Sequence, residues 1–159
     1  PLAHVQLQEG GRAVRLPGIV ARPRSGPGLA SGFMSHIIRA LAAGQPYTCP
    51  VRPQATAWWM SATRCAENLL HAATMDLAGA DAARAWPLPV QRLSVGEVVQ
   101  AAAELYGADR DALVQYAPDP AIEAVYGSYP VLDDAPSRSL GLRDDGDTQA
   151  MLRRALDEA

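Results

Sequence analysis

The 159-residue chain contains no lysine, because all fourteen of its Lys and Arg residues are arginines. Without lysine, a chain cannot form a Schiff base, build a phosphate-binding loop that ends in Gly-Lys, or contribute a Tyr-Lys pair for hydride transfer. Cysteine is also scarce, since only Cys49 and Cys65 are present. Two cysteines exclude a disulfide framework, and we expect free thiols in a reducing cytoplasm.

The sequence also has no large excess of charge of one sign and no long apolar run. Fourteen basic and 17 acidic residues give a formal net charge of -3, a balance that disfavours nucleic-acid binding. No apolar run approaches the roughly 18 residues of a membrane span, and the first residues lack the pattern of a signal peptide. We therefore expect a cytoplasmic chain without membrane contact. Its 48% apolar residues suffice for one core.

Hydrophobic periodicity predicts a mixed α/β fold, with roughly three or four short strands and about five helices. The apolar segment 12–23 is typical of a strand buried on both faces. Before it, residues 1–10 form either a hairpin arm or the end of a helix. An apolar stripe from Phe33 to Leu41 predicts a helix that ends at Gly44.

The second half of the chain predicts two extended pieces and several capped helices. Residues 47–51 and 56–60 are each predicted to form a short strand, and the residues between them form a turn. Ser61 can cap the next helix, whose apolar stripe includes Cys65 and Leu69. Further helices are predicted after Ser94 with Glu97 as a capping box, after Asp119, and after Asp147.

Four sequence segments carry a family resemblance. They are residues 15–23 (RLPGIVARP), 31–39 (SGFMSHIIR), 59–72 (WMS, then AENLLHA) and 118–124 (PDPAIEA). In this order they resemble the C-terminal part of an extended short-chain dehydrogenase/reductase of the NAD-dependent epimerase/dehydratase family, in its D-erythronate dehydrogenase-like branch. The order holds over nearly the whole chain.

The resemblance implies a C-terminal substrate lobe joined to the last strand of a Rossmann-type nucleotide domain. Residues 1–24 would form an N-terminal arm and that last core strand, and residues 25–159 the substrate-binding lobe. A complete family member also has a Gly-rich cofactor turn and a Tyr-x-x-x-Lys pair, and neither occurs in this sequence. We therefore expect the N-terminal nucleotide-binding half to be absent, and no catalysis of family chemistry by this chain alone.

The resemblance also implies a cofactor and a class of substrate. NAD would lie with its nicotinamide beside Pro17, Gly18 and Ile19, where small, rigid residues permit a close approach; the alternative is that Pro17 and Gly18 merely bend a strand. The substrate would be a sugar acid or a nucleotide sugar. Its candidate contacts are Arg22, Arg24, Arg52, Trp59 and Ser61.

Each candidate contact has a chemical reason and a structural alternative. Guanidinium groups bind carboxylates in bidentate fashion, but most arginines at loop edges are simply solvated. Trp58 and Trp59 are adjacent on a strand and point to opposite faces, so one of them would wall the cleft; Trp59 is the candidate, and the alternative is that it fills the core. Ser61 would bind substrate or only cap its helix. No metal site or thiol nucleophile is predicted, since Cys65 and His71 lie six residues apart on one helix and point in different directions.

Two functions stay open at this stage. The chain is either the substrate-binding part of an NAD-dependent sugar-acid dehydrogenase or nucleotide-sugar epimerase, with the missing nucleotide-binding half as its partner, or a stand-alone binding or oligomerisation module. The second possibility arises because an apolar strand without sheet neighbours exposes an edge that a second copy would pair in a homodimer.

Overall fold

The computed structural model describes residues 11–21, 30–78 and 85–156. The predictions made for residues 1–10, Arg22 and Arg24 lie outside the described residues. Within the described ranges the chain forms seven short strands, which is more than the three or four predicted, and six α-helices. The strands are β1 (Ala13–Arg15), β2 (Gly18–Val20), β3 (Tyr47–Cys49), β4 (Thr56–Ser61), β5 (Ala85–Pro87), β6 (Gln91–Ser94) and β7 (Val114–Tyr116). The helices are α1 (Gly32–Ala43), α2 (Ala62–Thr74), α3 (Val95–Tyr106), α4 (Pro120–Tyr126), α5 (Ala135–Ser139) and α6 (Thr148–Leu156).

The strands form three small sheets. The largest has the order β2-β4-β6, with β2 parallel and β6 antiparallel to the central β4. Two parallel pairs, β1 with β5 and β3 with β7, complete the strand pairing. This mixture of parallel strands and helices confirms the predicted α/β fold class.

The segment 12–23 is not one strand buried on both faces, so that prediction was wrong. Its described part divides into β1 and β2, which join different sheets. Pro17 stands at the division and has no N–H to donate to a ladder. The preceding Leu16 is 54% exposed, and β1 itself is only partly buried.

The two extended pieces also differ in part from their predicted arrangement. Both are strands, but β3 and β4 do not pair with each other across their turn. β3 pairs with β7, whose residues lie more than sixty positions later in the sequence. Local sequence carries no signal for a partner at that distance, because parallel pairing requires a long crossover.

The main core lies between β4 and the helices α1, α3 and α6. Its fully buried side chains include Ile37 and Leu41 of α1, Trp59 of β4 and Met151 of α6. A smaller cluster of buried side chains, around Met60, packs α2 against β5. No helix among the described residues combines the length and apolar character needed to cross a membrane.

The predicted helix caps are confirmed. Gly44 has a φ of 66° and donates its N–H to the end of α1, in the left-handed conformation that glycine adopts readily. Ser94 and Glu97 form the complete capping box of α3. The apolar stripe of α2 needs correction, because Leu69 is 43% exposed and the buried positions are Cys65, Asn68 and Ala72.

Candidate functional site

A cavity of about 390 Å³ opens between the loop that enters β2 and a group of aromatic side chains. This volume is within the range of small-molecule pockets. The lining includes residues 16–19, where the chain enters β2, together with Trp58, Tyr126 and Tyr129. Ser31 and Met34, at the start of α1, complete the lining. The cavity therefore contains all three predicted cofactor contacts.

Pairing with β4 positions this loop. Gly18 and Ile19 stand opposite Trp59 and Met60 in the parallel ladder. A Cβ atom on Gly18 would lie 2.6 Å from the carbonyl oxygen of Trp58 and 2.7 Å from Cε of Met34. Strand packing is by itself a sufficient reason for glycine at this position.

A segment that we call the strap, residues 127–130, lies along the edge of β4. The N–H of Thr56 donates to the carbonyl of Gly127, and the N–H of Tyr129 donates to the carbonyl of Thr56 at 3.0 Å. Arg92 of β6 donates from Nε to the carbonyl of Tyr129 at 2.6 Å. These bonds place the strap beside the cavity, with the Tyr129 ring in its wall.

Tyr129 has ring contacts with both of the other aromatic side chains. The rings of Trp58 and Tyr129 meet edge to face, with centroids 5.1 Å apart, and Tyr126 stacks on Tyr129 at 6.4 Å. Burial, and to a lesser degree Tyr126, raises the pKa of Tyr129 above its ordinary value. The Tyr129 phenol is therefore neutral at physiological pH and can both donate and accept a hydrogen bond.

Trp59 does not line the cavity, and its prediction as a substrate contact is corrected. It is fully buried in the core, where its Nε1 donates to the carbonyl of Leu93 at 3.0 Å. The neighbouring Trp58 lines the cavity instead. Side chains alternate between the faces of a strand, so the sequence showed that one of the two tryptophans would face outward but not which one.

Ser61 is also buried away from the cavity. Its N–H and its hydroxyl both donate to the carboxylate of Asp145, at 2.9 and 2.6 Å. Its Oγ accepts from the N–H of Arg64, which is the cap of α2. All the hydrogen-bonding groups of the Ser61 side chain are thus used within the fold, and the helix-cap interpretation applies.

Arg52 is not part of the cavity lining, and its role as a substrate contact stays a prediction. The side chain is 63% exposed and pairs with Glu123 at 2.8 Å. The N–H of Arg52 donates to the same carboxylate at 2.6 Å. Arg52 lies in the turn between β3 and β4, and its contacts with Glu123 attach that turn to α4.

The two cysteines are free, as predicted, and both are buried. Burial raises the pKa of both the Cys49 and the Cys65 thiol. A thiol with a raised pKa remains protonated at neutral pH and is a poor nucleophile.

Sequence reasoning did not assign Trp58, Tyr126 or Tyr129 to the site. Tyr126 ends α4, and Tyr129 follows it within the strap. A cluster of aromatics beside Gly127 and Pro130 is the local signal that could have directed attention to them. Their convergence on β4 depends on tertiary contacts, because Trp58 lies about seventy positions earlier.

Comparisons with known proteins agree with this architecture. The chain is 28% identical over 155 residues to D-erythronate dehydrogenase from Cupriavidus necator, covering 94% of this chain and 46% of that protein. It superposes on a nucleoside-diphosphate-sugar epimerase from Agrobacterium tumefaciens with a TM-score of 0.84 and 26% identity, over 94% of this chain and 44% of the other. No protein-family model matches the sequence.

A third comparison shows the fold alone. L-threonine 3-dehydrogenase from Trypanosoma brucei has a TM-score of 0.76 and 24% identity, over 92% of this chain and 45% of its own. The chain thus spans about half the length of the relatives that it matches. The first two likenesses, to D-erythronate dehydrogenase and to the epimerase, confirm the resemblance found in the sequence, to the C-terminal part of NAD-dependent epimerase/dehydratase proteins with a D-erythronate dehydrogenase-like sequence.

Proposed function

We propose that this chain is the substrate-binding portion of an NAD-dependent oxidoreductase that acts on a sugar acid or a nucleotide sugar. The observation that supports the proposal is the cavity between residues 17–19 and the aromatic side chains of Trp58, Tyr126 and Tyr129. A concave site with apolar walls and a few polar groups is typical of small-molecule recognition. The likeness to D-erythronate dehydrogenase supports a sugar acid, and that to the epimerase a nucleotide sugar.

NAD is the proposed cofactor, and only its nicotinamide end suits this cavity. When bound, NAD supplies hydride transfer at the substrate. Pro17, Gly18 and Ile19 all line the cavity, and because Gly18 has no side chain a planar ring could approach its backbone closely. The pyrophosphate and the proton-transfer groups would belong to a nucleotide-binding half outside residues 1–159, so these residues alone would bind NAD weakly and would not catalyse.

This chain has a surface on which the nucleotide-binding half could dock, formed by β1 and α2. Among the described residues, β1 pairs only with β5, so its second edge is available to another strand. Nearby on α2, Leu69 and Leu70 are 43% and 73% exposed, and Leu69 borders a depression that also includes Val14. A nucleotide-binding half would extend the β1 sheet and cover these side chains.

The test is an NMR titration of the chain with D-erythronate, D-glucuronate, a uridine diphosphate sugar and NAD. We expect at least one sugar acid or nucleotide sugar to shift the indole N–H signal of Trp58 and the methyl signals of Ile19. Trp86 is buried in β5 and lies outside the cavity lining, so its indole signal serves as the reference for that of Trp58. If no sugar acid or nucleotide sugar moves the cavity signals, the proposed function is wrong.

A homodimer without catalysis is the alternative function, and the same exposed leucines favour it. In that case a second copy would cover the edge of β1 and the outer face of α2. Light scattering on the chain and on Leu70→Glu separates the two possibilities. A stable dimer that Leu70→Glu dissociates would support the oligomerisation module, whereas a monomer at high concentration supports a face reserved for another partner.

A further inference from the structure

Aromatic side chains are concentrated at the cavity. The chain has only three Trp, five Tyr and one Phe, and three of these residues, Trp58, Tyr126 and Tyr129, line a single cavity. All three are half-buried, whereas Trp59 and Trp86 are fully enclosed in the two core clusters. Aromatic surface that is left open to a pocket is available to a ligand.

The described lining of the cavity carries no formal charge. Besides the three aromatics it consists of Leu16, Pro17, Gly18, Ile19, Ser31 and Met34. Such a surface suits the uncharged part of a substrate, since burying a carboxylate or phosphate against it would leave that charge unpaired. The part of a substrate that meets these described residues would be bound through apolar area and through hydroxyl groups that reach Ser31 and the two phenols.

The aromatic wall is held in place before any ligand arrives. Nε1 of Trp58 donates to the carbonyl of Pro130 at 2.9 Å, which fixes the indole against the strap. Arg92 and Thr56 bind the backbone of Tyr129 from two directions. A rigid surface loses little conformational freedom on binding, so it favours a ligand that is itself rigid.

From these observations we infer that the cavity recognises a closed sugar ring, through contact of Trp58 and Tyr129 with the ring's apolar face. The inference rests on the proposed function and narrows its substrate class. In a pyranose the C–H bonds on one face form a continuous, weakly positive patch that complements the negative face of an aromatic ring. An open-chain four-carbon acid has no such patch, and it loses more internal rotation on binding.

The experiment compares three probes on the full chain by ligand-detected saturation-transfer NMR. Methyl β-D-glucopyranoside presents a ring without charge, D-glucuronate a ring with a carboxylate, and D-erythronate an open chain. We expect both ring probes to receive saturation at their axial C–H protons and to bind about tenfold more tightly than D-erythronate. We expect Trp58→Leu to remove most of that preference and Trp58→Phe, which keeps an aromatic face, to restore part of it.

Two further variants keep the test decisive. Tyr129→Leu removes the second ring while leaving the backbone bonds of the strap available, so it replaces Trp58→Leu if that protein does not fold. Tyr116→Leu removes an aromatic residue of β7 that lies outside the cavity lining and is expected to leave the ring preference unchanged.

The outcomes separate the inference from the proposed function. If D-erythronate binds as tightly as the ring probes, or if the Trp58 and Tyr129 variants weaken all probes equally, the ring inference is overturned and the proposed function stands. If none of these probes binds and no nucleotide sugar binds either, both are overturned.

Discussion

Replacing Asp145 with alanine should destabilise the fold strongly, although the residue lies in a loop. Asp145 is 4% exposed and Ser61 is fully buried. The carboxylate accepts two hydrogen bonds from Ser61, from the N–H at 2.9 Å and from the hydroxyl at 2.6 Å. Because Ser61 ends β4 and caps α2, these bonds attach the loop before α6 to the centre of the molecule.

The magnitude follows from what alanine leaves behind. Two buried donors of Ser61 lose their acceptor, and each unpaired donor costs about 1–3 kcal/mol. The Ser61 cap itself survives, since Oγ still accepts from Arg64. We therefore expect Asp145→Ala to lower the free energy of unfolding by about 3–4 kcal/mol. Asp145→Asn keeps one acceptor oxygen in place and should lose about half as much.

Urea unfolding followed by circular dichroism measures the effect. With a slope of about 1–3 kcal/mol per molar urea, Asp145→Ala should lower the midpoint by roughly 1–4 M. Asp109→Ala is the matched control, because its side chain is 76% exposed and its contact with Arg110 is 3.9 Å long; it should change stability by less than about 0.5 kcal/mol. If the two alanine variants unfold at the same urea concentration, the reasoning about the buried bonds is refuted.

Three other perturbations have expected outcomes. Gly18→Ala should cost about 1–3 kcal/mol in chemical denaturation, because the new Cβ meets the backbone carbonyl of Trp58 at 2.6 Å. Burial, with a smaller contribution from a nearby thiol, raises the pKa of Tyr47 to about 12. Stability should therefore fall as the unfolded chain ionises between about pH 10 and 12, and less steeply in Tyr47→Phe when denaturation is followed against pH. Arg138→Met removes a guanidinium that two aspartates share at 2.6 and 2.9 Å, so its loss should make the melting temperature less sensitive to salt.

Each of these predictions has its own control. Gly32→Ala introduces the same methyl group where it meets only the flexible ring of His36, at 3.3 Å, and an equal loss in both glycine variants would contradict the packing argument. Tyr47→Phe should behave like the wild type at pH 7 apart from a long hydroxyl contact of 3.5 Å; an unchanged slope above pH 10 would count against the burial of its phenol. An unaltered salt response in Arg138→Met would show that the shared ion pairs contribute nothing measurable.

The helices and their ends were predictable from the sequence because their determinants are local. Gly44 ends α1, and Ser94 with Glu97 begins α3, through contacts that span at most four residues. The family resemblance was also a property of sequence order, and it led to the loop at residues 17–19 that lines the cavity.

Only the tertiary structure determined which of the candidate residues face the cavity and which are buried in the core. Ser61 became a structural anchor only through Asp145, 84 positions later. The division of segment 12–23 into β1 and β2 depended on two partner strands that lie far apart in the chain. The choice of Trp58 over Trp59 depended on which face of β4 receives α1 and α3, and which receives the strap. Short-range periodicity shows that a strand has two faces, but only the packing of distant segments determines which face is core and which is cavity.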